Sequence, residues 1–219
     1  MNKLRLRFEK TGRAIYISHL DLMHTMQRAF LRAGLPLAYS EGFNPHALIS
    51  IILPLSVGTE SVCELMDFRL REDVDLSTIP ELLTDSLPEG ITALEVYPAE
   101  SKGKDLKWIS VTGVFEYDTA DPEKMAAGLS ELFDRDSLVI TKKTKKGMGE
   151  SDIKPAIHSV KFTPAEESVI VNAVVSAQEP TLNPDHLATA ARQLMPECAP
   201  DFAEFRRIET FDKEFKVFR

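Results

Sequence analysis

The side chains best suited to bind a ligand occur within residues 15–46. His24, Arg28 and Arg32 recur at intervals of four residues, which places them along one stripe of a helix. The loop after this helix carries two aromatic rings and an imidazole, from Tyr39, Phe43 and His46. Guanidinium and imidazole groups bind phosphate or carboxylate, and aromatic rings stack on nucleobases. The pattern indicates a binding surface; a solvated helix face and aromatic core packing are the ordinary alternatives.

Two further groups of cations could contact phosphate. Alternating apolar residues predict a first strand that turns Leu4, Leu6 and Phe8 towards the helices. The opposite, open face of its sheet would then carry Lys3, Arg5 and Arg7. A second basic run lies in the other half of the chain, at Lys142, Lys143, Lys145 and Lys146. A solvated or domain-packed strand face and a solvated hairpin tip are the alternative interpretations of these two groups.

Acid–base chemistry has few candidates in this sequence. His19 and His46 are the possible general acid–base residues of the 15–46 segment, and they raise the hypothesis of a metal-independent ribonuclease. His19 and His24 lie five residues apart, whereas two metal ligands on one helix face are usually four apart, so we expect no metal site. The sequence also lacks the phosphate-binding loop of nucleotide hydrolases, the glycine-rich dinucleotide fingerprint and a CxxxCxxC triplet for an iron–sulfur cluster.

Secondary-structure patterns place these residues in an α+β fold. Ser18 is a suitable N-cap, and Gly34 followed by Pro36 predicts the end of a helix over residues 18–33. In the first half, strands are predicted at 4–9, 47–57, 62–70 and 91–96, and a second helix at 77–87. In the second half, strands are predicted at 111–117, 138–143, 156–162, 168–176 and 202–211, and helices at 122–133 and 184–194.

The order β-α-β-β-α-β therefore occurs twice, which predicts two tandem ferredoxin-like domains with antiparallel sheets. We assign residues 1–98 to the N-terminal domain, 99–110 to a linker, and 111–219 to a C-terminal domain with an inserted loop and an extra strand. The chain has 219 residues, of which 43% are hydrophobic, so it can bury two cores of this size.

Charge and composition limit the function further. The net charge of −8 argues against a general nucleic-acid coat protein. Residues 1–46, however, hold seven basic and three acidic side chains, a net charge of +4. No apolar run approaches the ~20 residues of a membrane span, and no signal peptide is recognised. Cys63 and Cys198 are expected to be buried thiols, which fits a cytoplasmic protein.

The stretch SHLDLMHTMQRAFLRAGLPLAYSEGFNPH, preceded by RLRFEKTGRAIYISH and followed by TKKTKKG and DIKP, resembles the radical SAM-linked protein family. That family is a domain of unknown function, fused to or encoded beside radical SAM enzymes. The resemblance implies a radical SAM enzyme as partner, and that enzyme would bind the iron–sulfur cluster and S-adenosylmethionine. We expect this chain to bind no cofactor itself.

Together, the resemblance and the basic surface predict an accessory, substrate-binding protein whose substrate is RNA, with ribosomal and transfer RNA as candidates. Arg5, Arg7, Arg28 and Arg32 would hold phosphates. A pocket for a base or an RNA loop would be formed by Tyr39, Phe43 and His46. The ribonuclease using His19 or His46 is one alternative. A protein-docking module that binds no nucleic acid is the other.

Overall fold

The computed structural model describes residues 3–144, without the side chain of Thr144, and residues 147–219. They form an α+β structure with antiparallel strand pairs and, within the described ranges, four α-helices. The chain divides into two compact units. Unit 1 comprises the chain up to Asp105 together with Phe218 and Arg219, and unit 2 runs from Leu106 to Val217. Among the helices of the described residues, none combines the length and the hydropathy of a membrane-spanning segment.

Unit 1 contains one antiparallel sheet and two helices. Its elements are β1 (Leu4–Lys10), α1 (His19–Arg32), β2 (Ile49–Ile52), β3 (Glu60–Phe68), α2 (Ile79–Thr84) and β4 (Ile91–Pro98). The strands are ordered β4–β1–β3–β2 across the sheet. The second strand is shorter than predicted, because Leu53 adopts a positive φ of 52° and is followed by Pro54, which cannot donate a ladder hydrogen bond.

Helix α1 forms where the sequence predicts it, for the predicted local reasons. The Ser18 side chain accepts a hydrogen bond from the Asp21 amide at 3.2 Å, which caps the helix start. Gly34 takes a φ of +69° just after the helix, a conformation that glycine adopts without strain. One stripe of the helix is buried and consists of Leu22, Met26, Ala29 and Phe30. Phe30 packs on Phe68 with ring centroids 4.9 Å apart, which anchors α1 to the sheet.

Unit 2 has a comparable order with one addition. Its elements are β5 (Leu106–Glu116), α3 (Pro122–Asp134), β6 (Val139–Thr144), β7 (Gly147–Asp152), β8 (Ile157–Pro164), β9 (Ser168–Ser176), α4 (Asp185–Leu194) and β10 (Phe202–Asp212). Four strands form a sheet in the order β10–β5–β9–β8, while in the described part of the chain β6 and β7 pair only with each other. The insertion is therefore the hairpin β6–β7, whereas the strand predicted as extra, 156–162, is the sheet strand β8.

The segment predicted as a linker is partly ordered as strand. β5 begins at Leu106 rather than at residue 111, and Trp108 pairs with Ser176 of β9. Leu106 and Ile109 are buried, so these residues have apolar contacts to gain from joining the sheet. The Pro, Gly and Lys residues of 98–104 made the whole stretch resemble a loop in sequence.

Candidate functional site

A groove in unit 1 contains two of the predicted phosphate ligands. Thr25, Arg28 and Arg32 of α1 line one part of it, and Asp85, Ser86, Leu87 and Pro88, between α2 and β4, line the rest. Its volume is about 410 Å³, within the usual range for ligand sites. We name this feature the arginine groove. His24 is exposed on the same helix but does not line it.

The two arginines of the arginine groove differ in their partners. Arg32 donates a hydrogen bond from Nη2 to the Ser86 carbonyl oxygen, which fixes its guanidinium at the groove. Within residues 3–144 and 147–219, Arg28 makes no hydrogen bond or ion pair, so all its donors are available to a ligand. With the carboxylate of Asp85, the lining carries a formal net charge of +1. The groove is therefore suited to one anionic group.

The cations predicted on the open face of β1 are placed differently. Arg5 is completely buried, and its guanidinium donates to the Asp67 carboxylate at 2.7 Å from Nε and 3.3 Å from Nη2. It also donates to the Ser101 carbonyl at 2.9 Å and lies over the Phe218 ring, 4.7 Å from its centroid. The prediction that Arg5 faces solvent and holds a phosphate is wrong, because Asp67 lies opposite Arg5 in the β1–β3 register.

The neighbouring basic residues Lys3 and Arg7 are also affected by the packing of this face. The Lys3 ammonium lies 2.5 Å from the Asp67 carboxylate, although its side chain keeps 40% exposure. Arg7 is half-buried. Because Asp67 pairs with both Lys3 and Arg5, this face of β1 is a weaker phosphate site than the sequence suggested.

The loop 39–46 presents its aromatic rings to solvent. Phe43 is fully exposed and Tyr39 is 53% exposed, so neither ring serves the core. The loop is closed by the Ser40 amide, which donates to the His46 carbonyl at 2.9 Å, and by side-chain bonds between the same residues. None of the residues that line the arginine groove belongs to this loop.

The second basic run lies in unit 2. Lys142 is half-buried and Lys143 is exposed on β6, while Lys145 and Lys146 lie outside the described residues. Burial lowers the pKa of His186 at the start of α4, and the Lys142 ammonium lowers it further. Beyond this effect, no contact of Lys142 or Lys143 with another described residue indicates a ligand.

Within residues 3–144 and 147–219, neither candidate acid–base residue is paired with a carboxylate. His19 is exposed at the first position of α1, and His46 is exposed with its Nδ1 2.8 Å from the Ser40 hydroxyl. A general base is usually oriented by a carboxylate or a comparable acceptor, whereas the partner of His46 is a hydroxyl. In the part of the chain that the structure describes, no three His, Cys, Asp or Glu side chains are grouped to hold a metal ion.

One feature of α1 escaped the sequence analysis. Leu20 and Leu31 are 68% and 79% exposed, and Tyr16 just before the helix is 70% exposed. Leu20 and Leu31 lie eleven residues apart, about three helical turns, and so occupy the same side of α1. Neither leucine belongs to the buried stripe of Leu22, Met26, Ala29 and Phe30, and this spacing is the signal in the sequence that could have identified them. We name these two leucines the leucine edge.

Comparison with known proteins adds the family. The family model described as "Uncharacterized protein conserved in bacteria (DUF2344)" matches residues 3–184. No curated protein matches the chain significantly. The crystal structure of an unknown protein from Galdieria sulphuraria aligns over 94% of this chain and 98% of that chain, with 11% identity and a TM-score of 0.28. The chain thus belongs to the uncharacterized family conserved in bacteria, DUF2344.

Proposed function

We propose that this chain is a non-catalytic, cytoplasmic accessory protein that binds RNA for a radical SAM enzyme. The partner enzyme would supply the iron–sulfur cluster and S-adenosylmethionine, and this chain would hold the substrate. The arginine groove is the observation that carries the proposal, because Arg28 and Arg32 meet there with Arg28 fully available for a ligand. Arginine holds phosphate through paired N–H donors, and phosphate contacts provide most of the affinity for RNA.

We further propose that each unit is a ferredoxin-like domain. In unit 1 the order β-α-β-β-α-β and the strand order β4–β1–β3–β2 support this assignment. In unit 2, β5, β8, β9 and β10 take the corresponding places once the β6–β7 hairpin is set aside. RNA-recognition modules of this architecture bind RNA on the open sheet face. Because Arg5 is buried on β1, we place RNA on α1 in unit 1.

Replacing both Arg28 and Arg32 with alanine is expected to weaken RNA binding at least about tenfold in low salt. Because the arginine groove is suited to one anionic group, the double variant should lose one phosphate contact, which reduces the slope of log affinity against log salt by roughly 0.7. Fluorescence anisotropy with labelled transfer RNA and ribosomal RNA fragments across a salt series measures both quantities. Alanine is well tolerated on an exposed helix face, so the fold should persist.

The matched control replaces Arg71 and Arg135, two exposed arginines outside the arginine groove, with alanine. This variant undergoes the same change in net charge, and its affinity should stay within about threefold of the parent. Equal losses in both variants would mean that only total charge matters and would refute a phosphate site at the groove. If the parent binds no RNA at any salt concentration, the protein-docking alternative replaces the proposal. RNA cleavage without metal would instead support the ribonuclease.

The leucine edge supports the protein-binding half of the proposal. Leu20 and Leu31 expose apolar area that RNA phosphates cannot use, whereas protein interfaces bury such area. Exchanging both for serine is expected to weaken capture of the purified radical SAM enzyme at least tenfold without changing RNA affinity. Serine at Leu82 and Leu94, which are 40% and 42% exposed elsewhere in unit 1, is the control. If the variant with serine at Leu20 and Leu31 captures the enzyme as well as the parent does, the leucine edge is not the enzyme-binding surface.

A further inference from the structure

The loop after α1 is a short, closed projection with an aromatic ring at its tip. We name residues 40–46 the aromatic finger. The Ser40 and His46 backbones are joined by the hydrogen bond from the Ser40 amide to the His46 carbonyl, at 2.9 Å. Just outside it, Tyr39 and Ala47 form an antiparallel bridge. Gly42, next to Phe43, adopts a φ of +125°, a backbone conformation that favours glycine.

A side-chain latch defines the orientation of His46 in the aromatic finger. The Ser40 hydroxyl oxygen accepts from the His46 amide at 3.1 Å and lies 2.8 Å from His46 Nδ1. Whichever of these two atoms donates, the bond occupies Nδ1 and leaves Nε2 of His46 open to a ligand. The latch therefore presents a hydrogen-bonding nitrogen beside the aromatic tip.

Phe43 is exposed to a degree that packing does not explain. Its relative exposure is 108%, so the ring makes almost no contact with the protein that carries it. A phenylalanine held in water forgoes the favourable free energy that the same ring would gain by burial in the core. Both faces of the ring are accessible, as insertion between two flat groups requires.

Resting on the proposed RNA-binding function, we propose that the aromatic finger recognises an unpaired nucleobase. Phe43 would stack on the base, and Nε2 of His46 and the side-chain amide of Asn44 would hydrogen-bond to its edge. The substrate would then be RNA with a loop, bulge or free end, because bases in a continuous duplex offer no open face or Watson–Crick edge.

The surroundings of Phe43 favour a nucleobase over an apolar pocket of a partner protein. Glu41, Asn44 and His46 are all exposed beside it and carry hydrogen-bonding groups rather than apolar surface. Hot spots in protein interfaces are usually enclosed by a ring of contacts that exclude water. A single ring among polar side chains matches the combination of stacking and edge recognition seen with single-stranded RNA.

The test compares one RNA in two forms: a stem–loop with unpaired loop nucleotides, and the same strand annealed to its complement. Phe43→Ala should weaken binding of the stem–loop by about tenfold at constant salt. It should leave duplex binding and the salt dependence unchanged, because it removes no phosphate contact. Phe43→Trp should restore stem–loop affinity to within about threefold of the parent, and Phe43→Leu should not, since leucine is apolar but cannot stack as a plane.

Phe43→Trp also gives a direct spectroscopic signal. The chain contains one tryptophan, Trp108, so the parent protein measures the background emission. Stacking on a base should quench the emission of the introduced indole when the stem–loop is added, and the parent should show little change. Quenching by the duplex to the same extent would contradict selection of an unpaired base.

The outcomes separate this inference from the proposed function. If Phe43→Ala binds the stem–loop as the parent does, while the Arg28 and Arg32 double variant loses binding, the finger inference fails and the proposed function stands. If the parent binds neither RNA form, both fail. If Phe43→Ala loses only the capture of the radical SAM enzyme, the finger binds protein and the nucleobase inference is overturned.

Discussion

Replacing Asp67 with alanine is expected to lower the free energy of unfolding by about 3–5 kcal/mol, the usual cost of leaving a buried charge without its partner. Arg5 is fully buried, and both carboxylate oxygens of Asp67 accept hydrogen bonds from its guanidinium. The Ser101 carbonyl and the Phe218 ring would remain as contacts of Arg5, but neither carries a compensating negative charge. Urea denaturation followed by far-ultraviolet circular dichroism measures the loss.

Two comparison variants make this prediction specific. Lys3→Ala should cost less than about 1 kcal/mol, because Lys3 is 40% exposed and its ion pair with Asp67 is screened by water. Exchanging Arg5 for methionine and Asp67 for leucine together should cost much less than Asp67→Ala, since apolar replacement of a buried ion pair is often neutral. An Asp67→Ala variant as stable as Lys3→Ala would show that the Arg5–Asp67 pair does not stabilise unit 1.

The Arg5–Asp67 pair also shows which property of β1 could not be predicted from the sequence. Alternation correctly predicted that Leu6 and Phe8 are buried against the helices. The residues on the opposite face were interpreted as solvated cations, because a period of two distinguishes the faces of a strand but does not reveal what covers each face. Asp67 lies 62 positions away along the chain, and the strand register that places it opposite Arg5 is a tertiary property.

Helix α1 was predictable because its causes are local. The Ser18 cap, the buried stripe and Gly34 act within one or two turns of the residues that they stabilise. The arginine groove was not predictable to the same extent, since Ser86 and Pro88 reach it from beyond α2. For the aromatic finger, the sequence identified the residues and left their burial open; the structure places Phe43 in solvent.

In unit 2, the pattern of strands was predicted more accurately than their pairing. The residues 138–143 do form a strand, yet it joins the hairpin β6–β7 instead of the sheet. Gln193 of α4 bonds to the Thr141 backbone, accepting from its amide at 2.7 Å and donating to its carbonyl at 2.9 Å. These two bonds satisfy backbone groups of β6 that a sheet neighbour would otherwise satisfy. No local signal in the sequence shows whether residues 138–143 pair with β7 or with a strand of the sheet.

Gly90→Ala is expected to be the most damaging glycine-to-alanine substitution in unit 1, with a loss of about 2–5 kcal/mol. A Cβ atom at this position would lie 2.4 Å from the Thr11 carbonyl oxygen and 2.9 Å from the Ala14 Cβ. Gly90 also has a φ of +88°, so a side chain adds backbone strain of about 1–2 kcal/mol to the 1–3 kcal/mol of overpacking. The Thr11 amide donates to the Gly90 carbonyl at 2.8 Å, which prevents the two segments from separating freely.

The destabilisation caused by Gly90→Ala should extend to the arginine groove, because Thr11 and Ala14 begin the segment that leads into α1. Gly34→Ala is the matched control: Gly34 has a φ of +69° but no atom within 4 Å of its added Cβ, so the substitution introduces strain without a clash. We expect it to cost about 1 kcal/mol, and the difference between the variants measures the contact of Gly90 with Thr11 and Ala14. Thermal and urea unfolding of both variants provides the comparison. If Gly90→Ala unfolds at the same urea concentration as Gly34→Ala, the close approach of residues 11–14 to Gly90 does not exist in solution, and the position of α1 must be stabilised by its buried stripe alone.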